Sequence, residues 1–290
     1  MIGCAALAAE LGEPLAATAS RYRHWLMLEQ PGPWGPDALL DSDLPREVGE
    51  ELKKRGERHG VRVLLVRRRD RDGAGPRRVF AAFTGRRERR LVSLEVGSHA
   101  DLLDLDIGGL VDARWAGLGR EETGPLFLVC THGKHDPCCA RFGGPAARTI
   151  AAHPGVWECT HVGGDRFAGN LVAFPHGLYF GRVGTQMAPQ VVEAYERGRI
   201  MVSHFRGRSS YARAAQAGEI ELRRRTGIDG VDDLVLQRHE VEDGLHRVSF
   251  GVPGGRWTVE LRETELPERM LTCKAEHPHS PGGFAVERVL

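Results

Sequence analysis

Apolar and polar positions along the chain follow two rhythms: short runs of strand length and stretches with helical spacing. His24-Trp-Leu-Met-Leu-Glu29 is an apolar run of strand length, and Gln30-Pro-Gly-Pro-Trp-Gly35 after it is a loop by its proline and glycine content. Residues 44–56 carry apolar side chains at Leu44, Val48 and Leu52, which is the spacing of one helix face. Asp43 is the expected N-cap there and Pro45 the first helical residue. The β-branched run 61–66 predicts a buried strand, and 78–84 and 90–96 predict two more around a glycine turn. Short helices are expected at 5–11 and 101–109.

The middle third repeats this order. Residues 126–129 predict a strand that delivers Cys130, and 137–152 a helix opened by Pro137 and closed by His153-Pro154-Gly155. A strand at 156–160 runs into His161, a hairpin turns at His176-Gly177, and a helix follows over 189–198. This order, βαβ and then ββα, predicts a thioredoxin-like domain, and the first third reads as a degenerate copy of it without its own ligands. The last third predicts an arginine-rich helix over 209–227 and alternating strands at 235–242, 247–252 and 256–261, turning at Glu242-Asp-Gly244 and Pro253-Gly-Gly255. The expected α/β organisation is therefore a degenerate thioredoxin-like unit (1–122), a thioredoxin-like domain with the candidate site (123–205), and a helix-plus-antiparallel-strand appendage (206–290). The segment 278–281 reads as loose, with His277 and His279 solvated.

Composition narrows the function class. The chain has 290 residues, of which 41% are hydrophobic, enough to fold without disulfide staples. No apolar run is long enough to span a bilayer, and the first residues lack a secretory pattern, so a cytoplasmic setting with reduced thiols is expected. The net charge of +1 gives no reason to expect nucleic acid. The arginine runs 67–71 and 86–90, broken by acids, predict solvated hairpin ends, with a docking patch for an acidic partner as the alternative. No Walker loop, Gly-x-Ser-x-Gly or His-Glu-x-x-His occurs.

Three of the six cysteines fall within Cys130-Thr-His132-Gly-Lys-His135-Asp136-Pro-Cys138-Cys139, followed by Cys159-Thr-His161-Val-Gly-Gly-Asp165. Thiolates and imidazoles gathered at loop positions suit zinc or an iron–sulfur cluster. Cys130 ends a strand and Cys139 lies in the first turn of the next helix, a geometry that can bring both thiols round one centre. Gly163 and Gly164 permit a tight turn behind His161. Cys138 reads as a packed helix residue, Asp136 as the cap of the helix, and His132 and His135 as residues of the loop between the cysteines. Arg166 is a candidate donor to the site, with a salt bridge as the alternative, and His176 a candidate frame residue. Cys4 and Cys273 are isolated in sequence and read as buried hydrophobes.

The segments Cys-Thr-His-Gly-Lys-His-Asp-Pro-Cys-Cys (130–139) and His-Val-Gly-Gly-Asp-Arg-Phe-Ala-Gly-Asn (161–170) resemble the sucrase/ferredoxin-like family, and Trp25 to Trp34 resembles its N-terminal half. The likeness covers roughly residues 1–200. It implies a thioredoxin-like ferredoxin with a [2Fe–2S] cluster held by two cysteines and two histidines. It carries Cys130, Cys139 and His161 over as ligands. It departs at the fourth place, where Asp165 stands for the family histidine. Carboxylate suits ferric better than ferrous iron, so such a cluster would be harder to reduce. Cys159 is the alternative fourth ligand, two residues from His161 along a strand.

The function expected is that of a non-enzymatic electron carrier whose partner is another redox protein, without nucleic acid or membrane. A histidine ligand would couple reduction to proton uptake. The alternatives are a cluster-free thiol-redox relative of thioredoxin, weakened by the lack of Cys-x-x-Cys, and a zinc-binding module.

Overall fold

A computed structural model describes residues 3–68, 70–71, 75–112 and 118–290. Its centre is a ten-stranded mixed sheet built from two halves of the same topology. The first half runs β1 (His24–Glu29), α2 (Arg46–His59), β2 (Val61–Arg67), β3 (Arg77–Thr84), β4 (Arg89–Val96), α3 (Ile107–Val111) and β5 (Arg120–Glu121), preceded by α1 (Cys4–Glu10). The second runs β6 (Leu126–Cys130), α4 (Gly144–Thr149), β7 (Val156–Cys159), β8 (Leu171–Phe174), β9 (Leu178–Phe180), α5 (Met187–Glu196) and β10 (Phe205–Arg208). In each half the first strand pairs parallel with the second across a helical crossover and antiparallel with the third.

The halves meet where β2 and β7 pair antiparallel, with Val66 opposite Cys159 and Arg67 opposite Glu158. The Arg67 guanidinium donates to Glu158 at 2.9 Å across this seam. Alternation along the strands separates two faces. On one face Leu26, Leu28 and Leu52 form the first half's core, and Phe127, Val129 and Val191 that of the second. On the other face a single core spans the seam, from Trp25 and Met27 through Leu128, Cys130, Trp157 and Cys159. Burying each large aromatic there contributes on the order of 2–3 kcal/mol.

The last segment begins with α6 (Arg213–Thr226) and forms a second sheet of β11 (Val235–Glu242), β12 (Leu245–Val252), β13 (Gly255–Thr264) and β14 (Gly283–Val289). Ala214, Ala215 and Leu222 of α6 pack with Val248, Phe250 and Leu261. The Gln216 amide, fully buried in α6, donates to the Ala19 and Arg208 carbonyls and accepts from the Ala19 N–H, tying this unit to the main sheet.

Several expectations shift. The helix expected from Asp43 starts after Pro45, which stands at the N-cap with no side-chain hydrogen bond, because a proline disfavours helical backbone at the residue before it, Leu44. The expected boundary between 205 and 206 falls inside β10, the edge strand of the large sheet. The segment after 278 leads into β14, which alternating polar residues conceal. The arginine runs are tied into ion pairs: Arg71 with Glu29, Arg89 with Asp232 and Arg90 with Glu121. Arg69 of the first run lies outside the described residues. Among the described residues, no helix is long and apolar enough to cross a membrane.

Candidate metal centre

The site forms where β6 and β7 end side by side. The parallel register sets Cys130 opposite Cys159, and the Thr131 N–H donates to the Cys159 carbonyl at 3.1 Å. The chain then loops through His132 and His135 into a helical segment that opens on Pro137. Cys139 begins its π-helical stretch, Cys139–Gly143, before α4. Such stretches are rare and recur at functional sites. Gly143 makes this packing possible, since a Cβ there would land on the Cys130 carbonyl oxygen.

The Cys130, Cys139 and His161 ligand atoms all lie within 4.8 Å of one another. Asp165 stands beside two of them and groups with His161 and His135: its Oδ1 is 2.9 Å from His161 Nδ1 and 3.4 Å from Cys139 Sγ. Cys139 Sγ is 4.0 Å from the same Nδ1. The turn that returns Asp165 to His161 uses Gly163 and Gly164 at φ of 100° and 80°, in the left-handed region.

Charge organises these groups. Cys130 is held well below the usual thiol range by its bond from Cys139, against burial, with further help from His161. Cys139 is pushed far up by that same bond and by burial, so the pair retains one proton on Cys139. Burial pulls His161 down, but its bonds to Asp165 and Cys130 outweigh this and raise it to about 9. Burial pushes Asp165 up, and the imidazolium bond outweighs it, so its carboxyl sits below the ordinary value. Cys130 and Asp165 thus lean toward their anionic forms, and the protons that a metal would displace sit on Cys139 and His161.

Asp136 caps the helical segment as expected, accepting from the Cys138 N–H at 2.8 Å. Cys138 turns its thiol away from Cys139, toward Cys4 and Cys273. Both His132 nitrogens are engaged, with Gly35 O at 2.7 Å and with the His161 N–H at 3.3 Å, so it orders the loop. His135 stacks on His161 with ring centroids 3.9 Å apart, and its ligand atom lies within 4.8 Å of those of His161 and Asp165. Sequence spacing did not single it out.

Cys159 is fully buried beside Cys130, yet its thiol joins none of the ligand groups found among the described residues. Strand β7 ends at Cys159, so the alternation expected to align it with His161 does not continue. Arg166 is committed to the buried Glu13 at 2.7 Å. His176 sits at the opposite end of β8, bonded to Tyr195 Oη at 2.5 Å, and does not frame the site.

Arg206 takes the place expected of Arg166. It is 1% exposed, and its bonds among the described residues go to neutral oxygens: the Thr18 hydroxyl and carbonyl, Gly163 O at 3.0 Å and Asn170 Oδ1 at 2.7 Å. Burial lowers it to about 10, against the pull of Tyr179, Asp165 and Cys130. It remains a cation, placed to offset an anionic site. Asn170 accepts that bond and donates to Gly164 O at 2.9 Å, while its carbonyl accepts the Cys130 N–H, so it does frame the site.

The histidine side is open. His132, His135 and His161 line a cleft of about 530 Å³ whose other wall carries Lys53, Glu57, Arg62 and Leu39. The two site thiols are fully buried. The donor set, two thiols with an imidazole and a carboxylate, suits zinc or an iron–sulfur group, and the buried arginine supplies a counter-charge.

A curated protein from Meyerozyma guilliermondii, named altered inheritance of mitochondria protein 32, is 31% identical over 101 residues, 30% of this chain and 36% of that protein. Its namesake from Eremothecium gossypii is 26% identical over 131 residues, 36% of this chain and 42% of that protein. The chain thus aligns with about two fifths or less of these relatives. No solved structure matches it. The family model described as Sucrase/ferredoxin-like matches residues 15–207, well over half of the chain, and includes every residue of the site; the chain belongs to the Sucrase/ferredoxin-like family.

Proposed function

We propose that this protein is an electron carrier that binds a [2Fe–2S] cluster at Cys130, Cys139, His161 and Asp165, on a fold of the thioredoxin-like kind. The observation that carries this reading is the asymmetry of the site: two thiols are buried, while the imidazole of His161 lies at the rim of an open cleft. A carrier must shield its sulfur ligands from oxidation while bringing one ligand close to a partner. Family membership and the βαβ and ββα element order support the same reading.

The cluster, when bound, supplies the one-electron chemistry. This chain's residues do the rest. Cys130 and Cys139 give up their shared proton and His161 its Nδ1 proton on loading. Arg206 offsets the anionic ligands from below, and the Gly163-Gly164 turn holds Asp165 against His161. With Nδ1 as the ligand, Nε2 would be the nitrogen left to titrate with the electron. The cleft beside it is the docking surface for a redox partner protein, and the reduced thiols suit a reducing compartment such as the cytoplasm.

A second reading, a single tetrahedral zinc, is favoured by the spacings of 2.9, 3.4 and 4.0 Å among the His161, Asp165 and Cys139 atoms. Ligand edges of ~3.3–3.8 Å follow from ~2.0–2.3 Å bonds to one ion. Electron paramagnetic resonance of the dithionite-reduced protein separates the two. A reduced S = 1/2 signal is expected for the carrier, and a colourless, silent protein that carries one zinc per chain at this site would establish zinc instead.

A further inference from the structure

A second group of metal-type ligands lies behind the first, built from three parts of the chain that are remote in sequence. Cys4 comes from α1, Asp136 and Cys138 from the loop and helix start after β6, and Cys273 from the loop between β13 and β14. Their ligand atoms all lie within 4.8 Å of one another. The three sulfurs form a near-equilateral triangle: Cys4 to Cys138 is 3.8 Å, Cys138 to Cys273 3.4 Å and Cys273 to Cys4 3.5 Å. The Asp136 oxygens stand 3.9 and 3.8 Å from Cys4 Sγ.

We propose that Cys4, Cys138 and Cys273 bind a zinc ion as thiolates, with Asp136 as the fourth ligand, in a structural site distinct from the Cys130 centre. Zinc–sulfur bonds of ~2.3 Å at tetrahedral angles set sulfurs ~3.8 Å apart, and a ~2.0 Å zinc–oxygen bond sets oxygen ~3.5 Å from sulfur. The observed triangle is close to that spacing. It is well beyond the ~2.05 Å of a disulfide, and three thiols cannot all be satisfied by one disulfide.

The surroundings suit thiolate ligation. Asp136 is oriented by two backbone N–H groups, from Cys138 at 2.8 Å on Oδ1 and from Cys273 at 2.7 Å on Oδ2. Both oxygens keep acceptor capacity after those bonds. The Cys4 N–H donates to Cys273 Sγ at 3.4 Å, the kind of bond that eases charge on a metal-bound sulfur. Ala5 and Ala168 pack against Cys4 and Cys138. Gly3 is required at its place, because a Cβ there would come within 2.8 Å of Cys138 Sγ.

The consequence is mechanical. Ligands 132 and 269 residues apart would be joined at one point. Zinc would tie α1 and the loop after β13 to the very segment that carries Cys139, fixing that thiol from behind. Metal binding of this kind contributes directly to folding stability.

The proposal does not depend on what the Cys130 centre holds. Its test is zinc per chain in the full-length protein, wild type against Cys273→Ser, after dialysis against zinc and then metal-free buffer. Cys273 is exposed, so its replacement leaves the core intact. One zinc fewer per chain in the variant, with iron content unchanged, is the expected result. Equal zinc in both proteins would overturn the proposal. So would peptide mapping that finds a disulfide within Cys4, Cys138 and Cys273 in protein kept under a thiol reductant until analysis. A second readout needs no variant: alkylation of the folded wild type should spare these three thiols until a chelator is added. Alkylation before chelation as fast as after it would contradict the site.

Discussion

The Nδ1 atom of His161 and the Oδ1 atom of Asp165 stand 2.9 Å apart on either side of the Gly163-Gly164 turn. The same Nδ1 faces Cys139 Sγ, so imidazole and carboxylate converge on one point beside the thiols. Asp165 is therefore placed either to ligate or to orient the ligand, and both roles weaken when it is removed. Asp165→Ala is expected to lose at least about tenfold in metal affinity, measured by competition with a chromophoric chelator. Asp165→His should keep the metal and shift the spectrum. Unchanged affinity in Asp165→Ala would remove Asp165 from the site.

Cys159→Ala is expected to retain full metal content, while Cys130→Ser loses it. Cys159 fills core space, so its truncation costs only about 1 kcal/mol, read from urea unfolding. Loss of metal in Cys159→Ala at unchanged stability would make Cys159 the fourth ligand.

Gly143→Ala tests the close approach of the π-helical stretch to Cys130. Its Cβ would meet the Cys130 carbonyl oxygen, part of a packed backbone that cannot yield easily. A loss of about 3 kcal/mol in unfolding free energy is expected, together with slower metal loading. Wild-type stability would show that the helix can retreat without disturbing Cys130.

Arg206→Met removes the buried cation and leaves Gly163 O and Asn170 Oδ1 without it. A lower reduction potential is expected, because an oxidised centre carries less negative charge than a reduced one and the cation favours the latter. Stability should fall by about 3 kcal/mol from the unpaired oxygens. Voltammetry on the loaded variant checks the first effect, and an unchanged potential would mean that the arginine is purely structural.

Protein stripped of metal should show a defined pH dependence. His161 is raised to about 9 in the fold, from ~6.5 when unfolded, so its contribution is fully present below pH ~6.5 and lost as pH rises through about 9. Asp165 is depressed, so its contribution is present above pH ~3.9 and lost as pH falls through its lower folded value. The melting temperature of the stripped protein should therefore gain most from this pair between pH ~4 and ~6.5. His161→Gln should flatten the alkaline limb, and an unaltered limb would assign it to another group.

Much of the fold was legible from period and punctuation. The strand His24–Glu29 stands where a continuous apolar run puts it, and Val235–Glu242 where alternation puts it. Phe205–Arg208 was not legible as a strand, because its two arginines are buried by partners distant in sequence. The same reason hid Arg206 from the site. Cys130, Cys139, His161 and Asp165 lie on one contiguous stretch, and their meeting follows from adjacent strand ends. Cys4 and Cys273 look isolated because only the tertiary fold brings the C-terminal loop back to α1. His135 was passed over because a loop histidine shows no period, and its stacking on His161 belongs to the folded loop.

The central claim is a redox cluster with His161 as a titrating ligand. The most direct measurement is the reduction potential of anaerobically prepared protein across pH, with iron and acid-labile sulfide counted in the same sample. Two iron and two sulfide per chain are expected, with a potential falling by up to about 59 mV per pH unit where Nε2 titrates. Absence of labile sulfide, or a potential independent of pH, would contradict it.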